Sequence, residues 1–219
     1  MIKVELLRYT NDADGLIGQA AAKCTNSKDY KRAMRGAISS GHDSVAEHAV
    51  FTFEISGVSR VLLAQITRHR LASFSVQSQR YAGCKSAREA TVIPPSFEDA
   101  DARCRSMVRK LLAEIDDVYG ELLKQGVPEE DARFLMPQGI ETTFVMTMNA
   151  RELKHFFKLR CCNRAQWEIR QLAEMMLAIV KTVAPETFRN SGAPCEFGKC
   201  PEKRPCGHPK GVRTDGREE

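Results

Sequence analysis

The sequence predicts an α+β fold: a mixed or antiparallel sheet covered by helices, together with a helical sub-domain. Three stretches alternate apolar and polar residues with a period of two, which is typical of strands with one buried and one solvated face. Segments with helical periodicity lie between them without a regular strand–helix–strand order. This mixture favours α+β over a parallel α/β sheet.

Each predicted element follows from its local pattern. The predicted strands cover residues 2–6, 51–56 and 140–148. The predicted helices cover residues 14–24, 30–39, 61–66, 98–124 and 164–183, and a further helix begins at Pro128. In the longest helix apolar side chains recur at steps of three and four residues, at Met107, Leu111, Leu112, Ile115, Val118 and Leu122. Pro94 and Pro95, among small or charged neighbours, predict a surface loop over residues 82–97.

The composition changes near residue 186. Four of the nine prolines and five of the fourteen glycines follow this point, and apolar periodicity ends there. We therefore expect a catalytic domain over residues 1–185 and an irregular tail, rich in cysteine, proline and glycine, over residues 186–219.

The bulk composition narrows the class of protein. No apolar run approaches the ~20 residues that span a bilayer, and the alternating start resembles a strand and not a signal peptide. We therefore expect a cytoplasmic protein with no membrane partner. The formal charge of +5 is too small for a dedicated nucleic-acid binder but suits a small phosphorylated ligand.

Six of the eight cysteines fall into two groups, and the other two are adjacent. Without a secretory signal, thiols or a metal site are better interpretations than disulfides. Cys24, Cys84 and Cys104 are scattered, and we expect them to be buried structural thiols. In the tail, three sulfurs and one imidazole would suffice for a tetrahedral structural zinc, the alternative being a flexible reduced tail; they belong to Cys195, Cys200, Cys206 and His208.

Common cofactor and nucleophile motifs are absent from the sequence. It contains no G-x-G-x-x-G after a strand, no Walker-A loop, no H-E-x-x-H and no G-x-S-x-G. Any cofactor must therefore be held by side chains on helices and loops.

Basic residues concentrate where the predicted helix 61–66 ends. Arg68, His69 and Arg70 are consecutive, and hydroxyl, amide and guanidinium donors follow at Ser78, Gln79 and Arg80. One cation at a helix C-terminus complements the helix dipole, but three adjacent basic groups repel one another. A bound anion explains them better, because the guanidinium fork matches phosphate oxygens.

The order of these motifs resembles that of the flavin-dependent thymidylate synthases. The Arg68-His69-Arg70 triplet is followed after seven residues by Ser78, as in the signature of that family. Further similar segments occur in the same order: residues 41–48 leading into 51–53, Arg133 before 135–137, residues 149–151 with Leu153, and Leu159-Arg160 followed by 165–168. The similarity extends from about residue 1 to residue 185.

The resemblance implies a non-covalent FAD site and a dUMP site. The residues implied to contact FAD are His42, Ser44, Arg68, His69, Arg70, Val76, Asn149, Ala150, Arg151 and His155. The residues implied to contact dUMP are Gln65, Ile66, Thr67, Arg68, Gln77, Ser78, Gln79, Arg80, Arg133 and Arg160. Val76 occupies a position that is often glutamate in the family, so it can offer only backbone or packing contacts. His42 has a second interpretation, as an N-cap or turn residue.

The implied reaction is the reductive methylation of dUMP to dTMP. In the family, methylenetetrahydrofolate supplies the carbon, NADPH reduces FAD, and a homotetramer builds each active site from several subunits. Arg160 is the implied catalytic residue, because a fixed guanidinium would stabilise negative charge developing on the uracil ring. No cysteine attacks the uracil in this family, and none lies in the Ser78 motif. Packing is therefore the expected role of Cys161 and Cys162.

Two other functions remain open at this point. A nucleic-acid-binding protein would use the basic helix end and a zinc module in the tail, but the low net charge and the lack of interleaved aromatic residues disfavour it. An FAD oxidoreductase without methyl transfer would differ only in its substrate, and its NADPH oxidation would be indifferent to dUMP.

Overall fold

The computed structural model describes residues 1–211 and contains a four-stranded antiparallel sheet of order β1-β2-β4-β3. The strands are β1 (Lys3–Tyr9), β2 (Val50–Ser59), β3 (Ala72–Val76) and β4 (Glu141–Asn149). The helices are α1 (Ala13–Thr25), α2 (Tyr30–Ser39), α3 (Arg60–Ile66), α4 (Ala87–Ala90), α5 (Pro95–Glu98), α6 (Ala102–Lys124), α7 (Glu129–Ala132), α8 (Ala150–Arg160) and α9 (Trp167–Val183). Short 3-10 helices cover Asp43–His48, Arg133–Leu135 and Pro194–Glu196. The α+β prediction is confirmed.

The predicted alternation of the strands corresponds to two faces of the sheet. Phe51, Phe53 and Ile55 of β2 are fully buried, as are Phe144 and Met146 of β4. The backbone N–H of Ala150 donates to the carbonyl of Ala49 at 2.8 Å, and that of Arg60 donates to Ile140 at 3.1 Å. These two bonds lie at opposite ends of the β2–β4 pair and fix its antiparallel register.

The chain forms two compact units, and it passes from one to the other within a strand at every crossing except the one that follows α3. The first unit comprises Met1–Lys3, Ile55–Ile66 and Ser75–Val145, and it includes α3 to α7. The second comprises Val4–Glu54, Thr67–Phe74 and the chain from Met146 onward, and it includes α1, α2, α8 and α9. The division at residue 186 that the composition predicts stays a prediction.

A chain of aromatic rings forms part of the core of the second unit. Phe51 meets Phe188 edge-on with centroids 5.5 Å apart, and Phe188 meets Phe157 at 5.9 Å. Phe157 contacts Phe156 at 5.7 Å, and Phe156 contacts the imidazole of His69 at 5.1 Å. Edge-to-face packing of this kind fixes ring orientation as well as burying area. The His69 side chain is thereby held within the core.

Local capping explains where α8 begins. Asn149, the last residue of β4, has extended backbone, and its Oδ1 accepts from the Glu152 backbone N–H at 2.9 Å. This is an N-cap contact, and it starts the helix directly at the end of the strand. Arg160 therefore stands in the last turn of a helix whose first turn is tied to the sheet.

Several elements differ from the sequence prediction. β3 was not predicted, and the predicted loop 82–97 contains α4 and most of α5. The carboxylate of Asp116 on α6 holds α4 in place: it accepts from the Ser86 hydroxyl at 2.6 Å and from the backbone N–H groups of Ala87 and Arg88. A contact that spans about 30 positions leaves no local sequence pattern.

The apolar stripe of α6 is only partly buried. Within this helix Leu112 and Tyr119 are buried, whereas Met107, Leu111 and Val118 are about half exposed. The helix therefore carries an apolar face that its own chain leaves in contact with solvent.

The cysteine environments also differ from expectation. Cys24 and Cys104 are exposed and Cys84 is half-buried, so the expectation of three buried thiols was wrong. Cys161 is buried just beyond the end of α8, as a packing role requires. Across residues 1–211, no helix is both long enough and apolar enough to cross a membrane.

Candidate functional site

A buried hydrogen-bonded relay connects Glu152, His69 and Arg160 in the second unit. His69 is 5% exposed and Glu152 is 7% exposed. The Nδ1 atom of His69 lies 2.9 Å from Oε1 of Glu152, and Nε of Arg160 lies 3.2 Å from Nε2 of His69. A residue between β2 and β3 and two residues of α8 therefore act as one group.

The partners of His69 define its tautomer. The Nε–H of Arg160 can only donate, so Nε2 of the imidazole must accept. Nδ1 then carries the proton and donates it to the Glu152 carboxylate. Both ring nitrogens are satisfied within the protein, so His69 can act on a ligand only through the groups that it orients.

The charges around His69 favour its neutral form. Burial is the largest cause that lowers the pKa of His69, and the positive Arg160 and neighbouring His155 lower it further. The Glu152 hydrogen bond and charge act in the opposite direction but do not reverse the result. Burial also lowers the pKa of Arg160, although a guanidinium remains charged at neutral pH. A neutral acceptor beside a cation is therefore the stable arrangement.

Arg68 and Arg70, on either side of His69, have exposed side chains. Neither makes an ion pair or a side-chain hydrogen bond with another residue in the part of the chain that the structure describes. Two exposed guanidiniums on either side of the buried His69 fit the hypothesis that this triplet binds an anionic ligand.

The 3-10 helix Asp43–His48 is fixed against α8 by two ion pairs. Lys154 contacts Asp43, and Arg151 contacts Glu47. Ser44 therefore lies on an element that is tied to the helix bearing Arg151 and His155. His42 occupies the N-cap position of the 3-10 helix but makes no capping hydrogen bond through its side chain, which is exposed.

A cleft of about 820 Å³ opens along α8 in the second unit. Its lining includes Arg151, Lys154 and His155, with Leu71 beside them. This volume lies within the ~300–1,000 Å³ of typical small-molecule sites. The donors in the cleft include the guanidinium of Arg151 and the imidazole of His155. Donors of this kind hold an anionic dinucleotide such as FAD, so the lining residues fit that cofactor.

Three further residues implied to contact FAD are Asn149, Ala150 and Val76, and only Asn149 has a side chain that can donate a hydrogen bond. Asn149 uses its Oδ1 as the N-cap of α8, which leaves its amide N–H groups to donate. Ala150 is fully buried, and Val76 is exposed at the end of β3 in the first unit. Neither has a polar side chain, so each offers backbone or packing contacts only.

A second cluster of predicted ligands forms in the first unit. The guanidinium of Arg80 pairs with the Glu130 carboxylate at 2.7 Å, and Nε of Arg133 donates to the Glu130 carbonyl at 3.0 Å. The Ser78 hydroxyl accepts from the Arg80 backbone N–H at 3.1 Å. Ser78, Arg80 and Arg133 are thus brought together around one residue of α7.

The other residues implied to contact dUMP are distributed around this cluster and α3. Gln65 and Ile66 form the end of α3, Ile66 is fully buried, and Thr67 follows with an exposed side chain. The backbone N–H of Gln77 donates to the Thr143 carbonyl at 2.9 Å, so Gln77 continues the sheet next to Ser78. Gln79 is half-buried in the turn that follows.

The predicted zinc ligands are not assembled within residues 1–211. No three of Cys195, Cys200, Cys206 and His208 bring their sulfur and nitrogen atoms within 4.8 Å of one another in this part of the chain. The tail is held instead by hydrogen bonds: Asn163 donates to the His208 carbonyl at 2.6 Å, and Arg164 donates to the Arg204 carbonyl at 3.0 Å.

One other group has the spacing of a metal site. Ligand atoms of His69, Glu152 and His155 lie within 4.8 Å of one another. The Arg160 guanidinium lies 3.2 Å from His69, and its positive charge opposes a second cation there. A hydrogen-bond relay explains this cluster better than a metal does.

Two residues of the site were missed from the sequence. Glu152 lies in the first turn of α8 and Glu130 in the first turn of α7. An acidic residue at such a position is explained by the helix dipole alone, so neither residue stands out in the sequence. Only the tertiary structure turns Glu152 toward His69 and pairs the Glu130 carboxylate with Arg80.

We predict that His69 makes stability depend on pH in a defined window. Because its folded-state pKa is lowered, the unfolded chain binds more protons below the ordinary value of about 6.5, and stability falls as the pH drops through that region. Urea unfolding at pH 7.5 and pH 5.5 should show this loss, and His69→Gln should reduce it. The carboxyls with lowered pKa, Asp116 and Glu186, titrate below this window. An equal loss in both proteins would contradict a neutral buried imidazole.

Comparisons with known proteins identify relatives of this chain. Residues 5–186 match the Thy1 family model, described as thymidylate synthase complementing protein. A flavin-dependent thymidylate synthase of Geobacter sulfurreducens is 44% identical over 92% of this chain and 91% of its own length. One of Saccharolobus solfataricus is also 44% identical, over 89% of this chain and 78% of its own.

A solved structure shows the same fold. The UMP/dUMP methylase PolB from Streptomyces cacaoi, bound with 5-Br dUMP, superposes with a TM-score of 0.74 at 24% identity over 86% of this chain and 93% of that one. Because the family model matches residues 5–186 and a curated relative is 44% identical over 92% of this chain, this chain belongs to the family of flavin-dependent thymidylate synthases.

Proposed function

We propose that the chain catalyses the reductive methylation of dUMP to dTMP, with methylenetetrahydrofolate as carbon donor and NADPH as reductant. Membership of the family supports this reaction. The structural observation that carries it is the relay of Glu152 and His69, which fixes the Arg160 guanidinium through a residue flanked in sequence by two exposed arginines. The reaction consumes dUMP, methylenetetrahydrofolate, NADPH and a proton, and it yields dTMP, tetrahydrofolate and NADP⁺.

FAD is the proposed cofactor, held by residues of the second unit. Arg68, Arg70 and Arg151 would bind its anionic part, while Ser44 and His155 would offer further polar contacts. When bound, FAD would supply the hydride chemistry of the reaction, with NADPH as the reductant. The protein positions the cofactor and the substrate and excludes water.

The dUMP phosphate is assigned to the cluster of the first unit. Arg80 and Arg133 are already oriented by Glu130, and the Ser78 hydroxyl offers a further donor. Two guanidiniums and a hydroxyl provide the charge-assisted hydrogen bonds that a phosphate monoester requires. A phosphate that binds there would compete with Glu130 for Arg80, a pair that is exposed and therefore weak.

Arg160 is assigned to the uracil ring. Its Nε donates to His69, and this bond fixes the plane of the guanidinium. A fixed cation stabilises negative charge on the ring oxygens and nitrogen N3, and this charge makes carbon C5 a better nucleophile. C5 would then form a bond to the methylene carbon as that carbon's bond to a folate nitrogen breaks, and the C5 proton would leave to solvent, without help from a cysteine.

We predict that the purified protein releases tritium from C5-labelled dUMP when FAD, methylenetetrahydrofolate and NADPH are present. Arg160→Ala should keep its flavin absorbance but lose at least about a hundredfold in dTMP formation, because one preorganised donor contributes about 10²–10³ to kcat. Arg160→Lys keeps the charge but loses the fork and should rescue little. NADPH oxidation that is indifferent to dUMP, without tritium release, would support a simple FAD oxidoreductase instead.

We predict a graded effect at Glu152. In Glu152→Gln the amide oxygen can still accept from Nδ1 of His69, so the tautomer and much of the activity should remain. Glu152→Ala removes the acceptor, and kcat should fall more than tenfold, with a smaller change in the KM for dUMP. The comparison of kcat and KM in the two variants distinguishes orientation of Arg160 from a loss of folding. Equal activity of both variants would refute the positioning role.

A homotetramer is the proposed assembly, and the exposed apolar face of α6 supports it. Met107, Leu111 and Val118 recur on one side of the helix and stay about half exposed in the single chain. Contiguous apolar patches of this kind mark protein–protein interfaces. Sharing of active sites between subunits would follow from the family.

We predict that Leu111→Glu weakens this assembly, because it places a charge on a surface that subunit contact would bury. Light scattering after gel filtration should report a smaller species, with a parallel loss of activity. Arg109→Gln, on the opposite side of α6, changes the net charge by the same amount and serves as the control. An unchanged mass for Leu111→Glu would exclude this face as the interface.

A further inference from the structure

The cleft along α8 has a second wall, which the tail provides. Half of the lining comes from the segment between residues 190 and 199: Asn190, Ser191, Gly192, Pro194, Phe197, Gly198 and Lys199. The family match ends at residue 186, so this wall lies outside the part of the chain that the family model describes. Nothing in the resemblance assigns it a role.

This wall is a built structure. Ser191, Ala193 and Glu196 are buried, and Oε1 of Glu196 accepts from the Ala193 backbone N–H at 3.0 Å. Gly192 has a φ of +147°, and a Cβ there would lie 3.0 Å from the Glu196 carboxylate. A residue with a side chain would be strained at this turn.

The start of the segment is anchored to α1. The Asp14 carboxylate accepts from the backbone N–H groups of Glu186 and Thr187 at 3.0 and 2.9 Å, and from the Thr187 hydroxyl. Phe188 then enters the aromatic core beside Phe51. The wall is therefore set in position by polar and apolar contacts before it reaches the cleft.

The cleft carries a surplus of positive charge. Among its charged residues, Lys154 is paired with Asp43, Glu152 is bonded to His69, and Arg151 contacts Glu47. Lys158 on α8 and Lys199 on the tail wall are exposed, and neither has an ion-pair partner among residues 1–211. Two unpaired ammonium groups at one cleft favour an anionic ligand with more than one charge.

We propose that the tail segment of residues 190–199 forms one wall of the cofactor site, where Lys158 and Lys199 bind the diphosphate of the dinucleotide. This inference rests on the proposed function, which supplies FAD as the ligand. Flexible lysines act as point charges on phosphate, whereas Arg151 in the same cleft offers a planar fork. The tail then contributes directly to the affinity for FAD.

The test compares ligands that share or lack the diphosphate. Full-length apoprotein is titrated with FAD, ADP and riboflavin by calorimetry, for the wild type and for Lys158→Glu, Lys199→Glu and Lys199→Gln. Lys203→Glu is the matched control, since Lys203 is an exposed tail lysine that does not line the cleft. Thermal unfolding of each variant verifies that it is folded.

Loss of a charge-assisted contact should raise the Kd for FAD and ADP about tenfold in Lys199→Glu and Lys158→Glu, and less in Lys199→Gln. The Kd for riboflavin, and all constants of Lys203→Glu, should change less than about twofold. Unchanged FAD binding in both charge reversals would overturn the inference and leave the proposed function intact. An equal loss for riboflavin would also overturn it, since the lysines would then act on the fold. A wild-type protein that neither binds FAD nor forms dTMP would refute the proposed function itself.

Discussion

Two hydrogen bonds to one buried imidazole set the orientation of the guanidinium at the end of α8. Glu152 accepts from Nδ1 of His69, and Nε2 accepts from Arg160. Burial makes an imidazolium costly there, so the ring stays neutral and both bonds keep their direction. Because α8 is capped by the last residue of β4, the relay is tied to the sheet. The position of Arg160 is thus determined by core structure and not by a mobile surface side chain.

The two groups of ligands in the proposed mechanism belong to different units. The flavin residues, apart from Val76, lie in the second unit, and most of the nucleotide residues lie in the first. In each unit an acidic side chain pairs with an arginine: Glu47 with Arg151, and Glu130 with Arg80. Such pairs keep cations ordered at modest cost, because exposed ion pairs are weak enough for an anionic ligand to replace.

Elements whose apolar residues recur with a short period could be predicted from the sequence. Elements that depend on contacts between residues distant in the chain could not. Two-residue alternation located β2 and β4, whose buried faces follow that pattern. β3 was missed because it has only five residues and none of them is buried, and α4 because it depends on Asp116 some 30 positions away. The Arg68-His69-Arg70 triplet identified the site, but only the folded chain shows that the middle residue is buried while its neighbours face solvent. The role of Glu152 depends on His69, 83 positions earlier in the chain.

The most direct test of this account is the protonation state of His69, measured by ¹⁵N NMR of the histidine side chains at pH 7, with His69→Gln to assign the signal. The account predicts a neutral ring with the proton on Nδ1 and no proton on Nε2, and a shift of the signal on replacement of Arg160 by alanine. An imidazolium, or a neutral ring protonated on Nε2, would contradict it, because Nε2 could then not accept from Arg160 and the guanidinium would lose its fixed orientation.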